Sequence, residues 1–403
     1  MRSVLRFLRS QGAHRDCADF PCCSPPAEAY AEGDAVKALP SEDDGGSTRC
    51  PTLDLPGQHG DARDACLAEA MQGMGDADAA RWAWGAELGM ASEDVTIEKV
   101  IASGSTSEVF CGAWQGRQVA VKRLTGGGQK RASAFVRELG VMSRQQHPNL
   151  VRLLGFCHDE GAFDMVLEFC RGGSLFHLLH TSEVDVVPTQ QLKVARDVAE
   201  GMVYLHGLAT PVLHRDLKSL NIVLQEPVCS PGDVPLAKVT DFGLAKIRMG
   251  PAQHGVARPI GGEPGQGCDA AATSRLSTPC APFVPGSICD SAEGGSDWAM
   301  TRSAGTLQWM APEILAGRTD YYLEVDVYAY GMLLFEIMCF EPPFVDMEAA
   351  EVSRLVLQGV RPKIDVECAT AVPLEKLTRA CWAQEPSERP TFFSLKVELE
   401  GLA

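Results

Sequence analysis

His214-Arg215-Asp216-Leu217-Lys218-Ser219-Leu220-Asn221, with Asp241-Phe242-Gly243 twenty positions further on, is the stretch that decides how this chain is read. A carboxylate, a lysine two positions later and an amide beyond it are set in a short span bounded by Leu213 and Ile222. A second carboxylate stands immediately before Phe-Gly. One carboxylate is available as a base beside a hydroxyl group. The other, with the amide, offers the hard oxygen donors that a divalent cation prefers.

Outward from that stretch the pattern changes character. Upstream, Val95–Ala102, Glu108–Trp114 and Arg117–Leu124 alternate or cluster apolar residues, with Gly104 and Gly116 at the turns, and are predicted as three antiparallel strands. Ala132–Gln146 has Phe135, Leu139 and Met142 at helical spacing, and strands are expected near Val151–Cys157 and Phe163–Phe169. Beyond Gly173 the periodicity is helical: Ser174–His180, Thr189–His206, Pro312–Ala316, Val325–Phe340, Ala349–Gln358, Leu374–Cys381 and Phe392–Leu402. The expected fold is therefore α+β and bilobal. A small five-stranded antiparallel sheet with one helix (93–169) precedes a larger, mostly helical lobe (174–403), with a hinge at Glu168–Gly173 and a cleft between them.

Taken together and in order, H-R-D-L-x-x-x-N and D-F-G resemble the catalytic loop and metal-binding motif of protein kinases. Val119-Ala120-Val121-Lys122 is similar to that family's strand lysine motif, and Glu138 lies on the next helix. The resemblance implies a phosphotransferase acting on ATP with Mg2+. Asp216 is then the base that orients the substrate hydroxyl, Lys218 neutralises the transferred phosphoryl group, and Lys122, paired to Glu138, grips the α- and β-phosphates. Asn221 and Asp241 are the implied metal ligands. Ile101, Gly104, Val109, Ala120, Leu167, Glu168, Cys170 and Val223 form the implied nucleotide pocket, with Val109, Ala120 and Val223 around the adenine and Leu167 at its back. His214 and Phe242 are expected to pack with Met142 and Leu153 rather than to act as acids or bases. The phosphate-covering loop departs from the family pattern: in Ile101–Val109 only Gly104 remains of three glycines, with Ala102 and Ser107 at the other places.

Gly305-Thr306-Leu-Gln-Trp309-Met310-Ala311-Pro312-Glu313 and Cys381-Trp382 through Arg389-Pro390 are similar to the tyrosine-kinase-like group, which holds mixed-lineage and Raf-type serine/threonine kinases. The resemblance implies a Glu313–Arg389 pair and an Asp326 that ties a large helix to the catalytic loop. Lys218 and Thr306 imply serine/threonine acceptors on protein substrates. The alternatives are dual specificity including tyrosine, and a pseudokinase or scaffold that binds partners through the same fold. Asp241 and Glu313 are 72 positions apart, and the segment 248–299 is rich in Gly, Pro, Ala and Ser, so it is expected as a disordered insertion. Thr301 or Ser303 is the expected phosphosite for an upstream activating kinase, held by Arg215.

Composition sets outer bounds. Apolar residues make up 45% of the chain and charged residues 22%, ordinary for a globular core, and the net charge of -17 argues against a nucleic-acid surface. Fifteen cysteines, an odd number without any C-x-x-C pair, read as reduced thiols. Val325–Phe340 carries Asp326 and Glu336 and is too short to span a bilayer, so no transmembrane segment is expected. Residues 1–92 read as a low-complexity region, mostly disordered, with a helix available at 61–90. Residues 1–15 hold Arg2, Arg6, Arg9 and Arg15 and no acidic residue, which fits a basic tail, with an organelle-targeting or membrane-surface segment as the alternative. The expected location is cytoplasmic.

Overall fold

Strand signals separated by glycine turns build a five-stranded sheet. The computed structural model describes residues 88–104, 106–125, 128–159, 162–247, 307–319, 321–365 and 372–402. All of these belong to one unit, Gly60–Ala403. The sequence expectations for residues 1–87, the insertion at 248–299, Thr301, Ser303 and Thr306 lie outside the described residues.

The sheet comprises β1 (Val95–Ser103), β2 (Ser107–Trp114), β3 (Arg117–Leu124), β4 (Leu153–Asp159) and β5 (Ala162–Glu168), in the order β1-β2-β3-β5-β4. Every neighbouring pair is antiparallel. The β2–β3 hairpin closes on Gln115 and Gly116 with φ of 50° and 72°, and Trp114 pairs with Arg117. Two consecutive positive φ values match the right-handed twist of the strands, which is why glycine occupies the second place. The inner face of the sheet packs on α1 (Gly128–Met142), with Phe135 of the helix against Phe156 and Phe163 at ring distances of 5.8 and 5.1 Å. The outer face carries a smaller core of Val119, Val121, Cys157 and Val166, against which Met90 packs.

Helix α1 begins and ends four residues before the sequence expectation. At the C-terminal end the helix tightens into two i+3 turns, Arg144 N to Val141 O and Gln145 N to Met142 O, in place of the i+4 bonds that would have carried it to Gln146. The expected helix Ser174–His180 is instead mostly a wide π turn, His177–Thr181, closed by Ser182 N on His177 O at 2.9 Å.

The helical lobe is built on α2 (Pro188–Gly207), α3 (Pro312–Leu315), α4 (Glu324–Cys339), α5 (Ala349–Leu357), α6 (Val372–Cys381) and α7 (Phe392–Glu400). Proline opens α2, where its missing N–H costs no intrahelical bond. Thr391 Oγ1 caps α7 by accepting from Ser394 N at 3.1 Å. Helix α4 is buried almost all round, as a helix without a polar face must be. Two short ladders were too brief to be read from the sequence: β6 (Val212–Leu213) with β9 (Lys246–Ile247), and β7 (Ile222–Leu224) with β8 (Ala237–Val239). They hold the loops that carry Asp216 and Asp241 side by side.

Candidate active site

Register puts Lys122 in the interior. On β3 it faces Val109 of β2 and Met165 of β5, and its residue is only 6% exposed. A lysine in such a place needs carboxylates. Its Nζ lies 2.6 Å from Glu138 Oε1 on α1 and 2.7 Å from Asp241 Oδ1. Burial works against the Lys122 ammonium, but Asp241 and Glu138 overcome it and hold its pKa above the ordinary lysine value. Crowding likewise opposes ionisation of Asp241, and the ammonium beside it holds the carboxyl well below the usual range. Burial pushes the Glu138 carboxyl up, against the pull of Lys122. The result is a fixed cation with an ionised Asp241 next to it.

Asp241 has a left-handed backbone, φ 66°, which turns its carboxylate toward Lys122. Gly243 follows closely. A Cβ there would lie 3.2 Å from Asp241 Oδ1 and 3.4 Å from Glu138 Oε2. Arg137, the residue before Glu138, donates from NH2 to Gly243 O at 2.9 Å. Sequence reading missed this tie, because nothing in one arginine on a helix signals a backbone partner a hundred residues away.

The second cluster gathers on the loop after β6. Lys218 Nζ donates to both Asp216 oxygens, at 3.0 and 2.8 Å. Asn221 Nδ2 donates to Asp216 O at 2.7 Å and to Asp216 Oδ2 at 2.9 Å. Burial raises the Asp216 pKa, and Lys218 opposes that rise. Asp241 acts electrostatically on Asp216, and Lys218 on Asp241, so the two clusters share one cleft. Backbone links join them: Thr240 N donates to Asn221 O at 2.9 Å, and His214 Nε2 sits 3.0 Å from Thr240 O. His214 and Phe242 meet edge to face at 5.2 Å within the same buried core as Met142 and Leu153. Asp326 accepts from His214 N at 2.9 Å and Arg215 N at 2.8 Å, and Glu313 pairs with Arg389.

The remaining sequence-derived pocket residues fall on the strands and hinge around this cleft. Ala120 and Leu167 are paired across β3 and β5. Ile101 is at the end of β1, and Gly104 N closes the following turn on Ser107 O at 2.8 Å. The chain after Cys170 runs against β7 through Gly172 N to Leu224 O, at 3.0 Å, and this brings the hinge next to Val223. Burial pushes the Cys170 thiol up to about 12, so it stays protonated. Glu168 accepts from Lys238 Nζ at 2.8 Å and from Arg152 N at 2.8 Å, a bridge across the hinge that sequence reading did not anticipate.

Among the described residues no three His, Cys, Asp or Glu side chains converge on a metal position. The donors that face the cleft are a carboxylate on Asp241 and an amide on Asn221 whose nitrogen is spent on Asp216. Two hard oxygen donors suit a cation that takes its other ligands from phosphate and water.

Comparison with known proteins gives the same direction. The family described as protein tyrosine and serine/threonine kinase matches residues 95–257 and 292–399. The chain is 31% identical over 314 residues to the RGS domain-containing serine/threonine-protein kinase A of Dictyostelium discoideum, covering 77% of this chain and 22% of that one. It is 31% identical over 323 residues to the dual specificity protein kinase splA of the same organism, covering 77% and 11%. Against the human serine/threonine-protein kinase TNNI3K it is 28% identical over 312 residues, covering 76% and 31%. The chain thus spans less than a third of the length of each of these relatives.

Proposed function

The chain belongs to the protein tyrosine and serine/threonine kinase family, and from that premise we propose that it transfers the γ-phosphate of ATP to serine or threonine hydroxyls of protein substrates. Membership of the family implies ATP and a divalent metal, and in this reading the metal is Mg2+. The observation that carries the proposal is the meeting of two clusters in one cleft, Lys122 with Glu138 and Asp241, and Asp216 with Lys218 and Asn221.

Lys122 holds the α- and β-phosphates and is itself aimed by Glu138. Asn221 and Asp241 would hold Mg2+, which when bound neutralises phosphate charge. Asp216 receives the substrate hydroxyl in hydrogen-bonding geometry and takes its proton as the new bond to the γ-phosphorus forms, while the bond from that phosphorus to the β–γ bridging oxygen breaks and ADP leaves. Lys218, already on Asp216, offsets charge on the group in transit. Catalysis is then positioning and electrostatics, without a covalent enzyme intermediate. Val109, Ala120 and Val223 enclose the adenine. Ile101 and Gly104 cover the nucleotide, Leu167 closes its back, and the Glu168–Cys170 backbone reads its edge.

The presence of Lys122, Glu138, Asp216, Asn221 and Asp241 supports an enzyme over a scaffold. Among the described residues no helix is long and apolar enough to cross a membrane. A cytoplasmic site of action is part of the proposal. An upstream kinase acting on Thr301 or Ser303 belongs to the same proposal. The test is transfer from radiolabelled ATP to a generic basic protein, wild type against Asp241→Ala, with phosphoamino-acid analysis of the product. Equal incorporation by both proteins would end the enzyme reading, and phosphotyrosine in the product would redirect the acceptor assignment.

A further inference from the structure

Glu336 is a fully buried carboxylate on α4, with 0% of its surface exposed. Removing such a group from water costs several kcal/mol unless donors replace the water. Its Oε1 accepts from two side chains, the Ser219 hydroxyl and His180 Nε2, the latter at 2.7 Å. Its Oε2 has no hydrogen-bond partner among the described residues. A carboxylate that leaves one oxygen unsatisfied while two donors crowd the other is held for its geometry, not for the stability it adds.

The donors show what is being held. Ser219 is fully buried and, directly after Lys218, opens the short turn Ser219–Asn221 that delivers Asn221 to the cleft. Asn221 N closes that turn on Lys218 O at 2.9 Å. His180, near the end of the π turn, packs on Phe176 at 4.6 Å and reaches the same Glu336 oxygen as Ser219. Helix α4 itself is fixed next to this point by Gln191 Nε2 on Ile337 O at 2.7 Å. Ten residues earlier on the same helix, Asp326 holds His214 N and Arg215 N and is met by His206 Nε2 at 2.9 Å. One helix therefore grips the loop at both ends, each time with a buried carboxylate that a histidine also contacts.

We propose that Glu336 is a positioning residue for phosphoryl transfer: through Ser219, and held in place by His180, it sets where Lys218 and Asn221 stand relative to Asp216. The proposal rests on the kinase reading given above and names a further part of that site. The Glu336 and Ser219 side chains are both closed to solvent. The effect runs through the loop.

The experiment uses the full chain with Ser219→Ala, Glu336→Gln and the double variant. Ser219→Ala removes one hydroxyl and keeps the helix intact. It is expected to lower kcat about tenfold, as a small misplacement of reacting groups does, with the KM for MgATP unchanged. The double variant is expected to lose less than the sum of the single losses, because both changes act on the one Ser219–Glu336 bond. Hydrogen exchange of the amides of residues 217–222, measured without nucleotide, is expected to quicken in Ser219→Ala while exchange in β1–β5 stays as in wild type. This readout does not depend on catalysis, so an inactive wild type would count against the proposed function alone. Unchanged exchange in 217–222, an unchanged kcat, or losses that add in the double variant would each overturn the positioning role.

Discussion

Arg389 grips Glu313 with two parallel hydrogen bonds, NH1 to Oε1 at 2.7 Å and NH2 to Oε2 at 2.8 Å, in a place where both side chains are nearly closed to water. The same guanidinium donates to Glu324 O and Ala383 O and lies 5.1 Å over the Tyr328 ring. It thereby joins α3, the start of α4 and the loop before α7. A planar fork is what this geometry demands. Arg389→Met leaves Glu313 buried without its cation and is expected to cost about 3–5 kcal/mol, read as a lower urea midpoint. Arg389→Lys, which cannot bond bidentately, should recover only part of it.

Lys122→Met tests the first cluster. It leaves Glu138 and Asp241 facing each other without the ammonium that holds Asp241 ionised. Loss of a preorganised charge at a phosphate site is worth about 100-fold or more in kcat/KM, measured as phosphate transfer at saturating protein substrate. Activity within a few-fold of wild type would remove Lys122 from the mechanism.

The pH dependence follows from Asp216. Burial raises its pKa, so the acid limb of kcat/KM should lie above the ordinary aspartate value. Lys218 works in the other direction, and Lys218→Met should therefore move that limb to higher pH as well as lower the plateau. For stability the sign is reversed. A raised carboxyl binds its proton more tightly in the folded state, so this group adds stability as pH falls through its folded pKa. Protonation of Asp216 should thus silence the enzyme without weakening the fold. A limb that did not move in Lys218→Met would refute the coupling.

Gly155 and Met90 occupy neighbouring space. Met90 N donates to Phe156 O at 2.9 Å, and a Cβ at Gly155 would meet Met90 Cε at 2.3 Å, Leu88 O at 2.6 Å and Met90 Sδ at 2.8 Å. Gly155→Ala is expected to destabilise by about 1–3 kcal/mol. Adding Met90→Ala, which removes two of the three close atoms, should cost less than the sum of the single losses, because the sites are coupled. Thermal melts of the four proteins check this, and strict additivity would mean that the segment at Leu88–Met90 does not rest on β4.

The lobes and their order were legible in the sequence because period-two and period-3.6 patterns are long here, from Val95 to Leu124 and from Thr189 to His206. The candidate residues that the structure brings together, Lys122 with Glu138 and Asp241, and Asp216 with Lys218 and Asn221, could be singled out because they occur in ordered motifs. What escaped was of another kind. The ladders β6–β9 and β7–β8 are two or three residues long and carry no period. The bonds from Arg137 to Gly243 O, from Lys238 to Glu168 and from Ser219 to Glu336 join residues 70 to 117 positions apart. Only folding brings such pairs together, and a single polar residue in an apolar helix does not name its partner.

Helix α4 has a further consequence as a length standard. Its two buried acids are ten residues apart, a separation fixed by helical pitch at about 15 Å along the axis. Inserting one residue between Asp326 and Glu336 would swing the second acid by about 100° around the rod. Substitutions that keep the length of the rod would leave the gauge true, whereas a single-residue insertion or deletion would leave the loop fastened at His214 and Arg215 and adrift at Ser219.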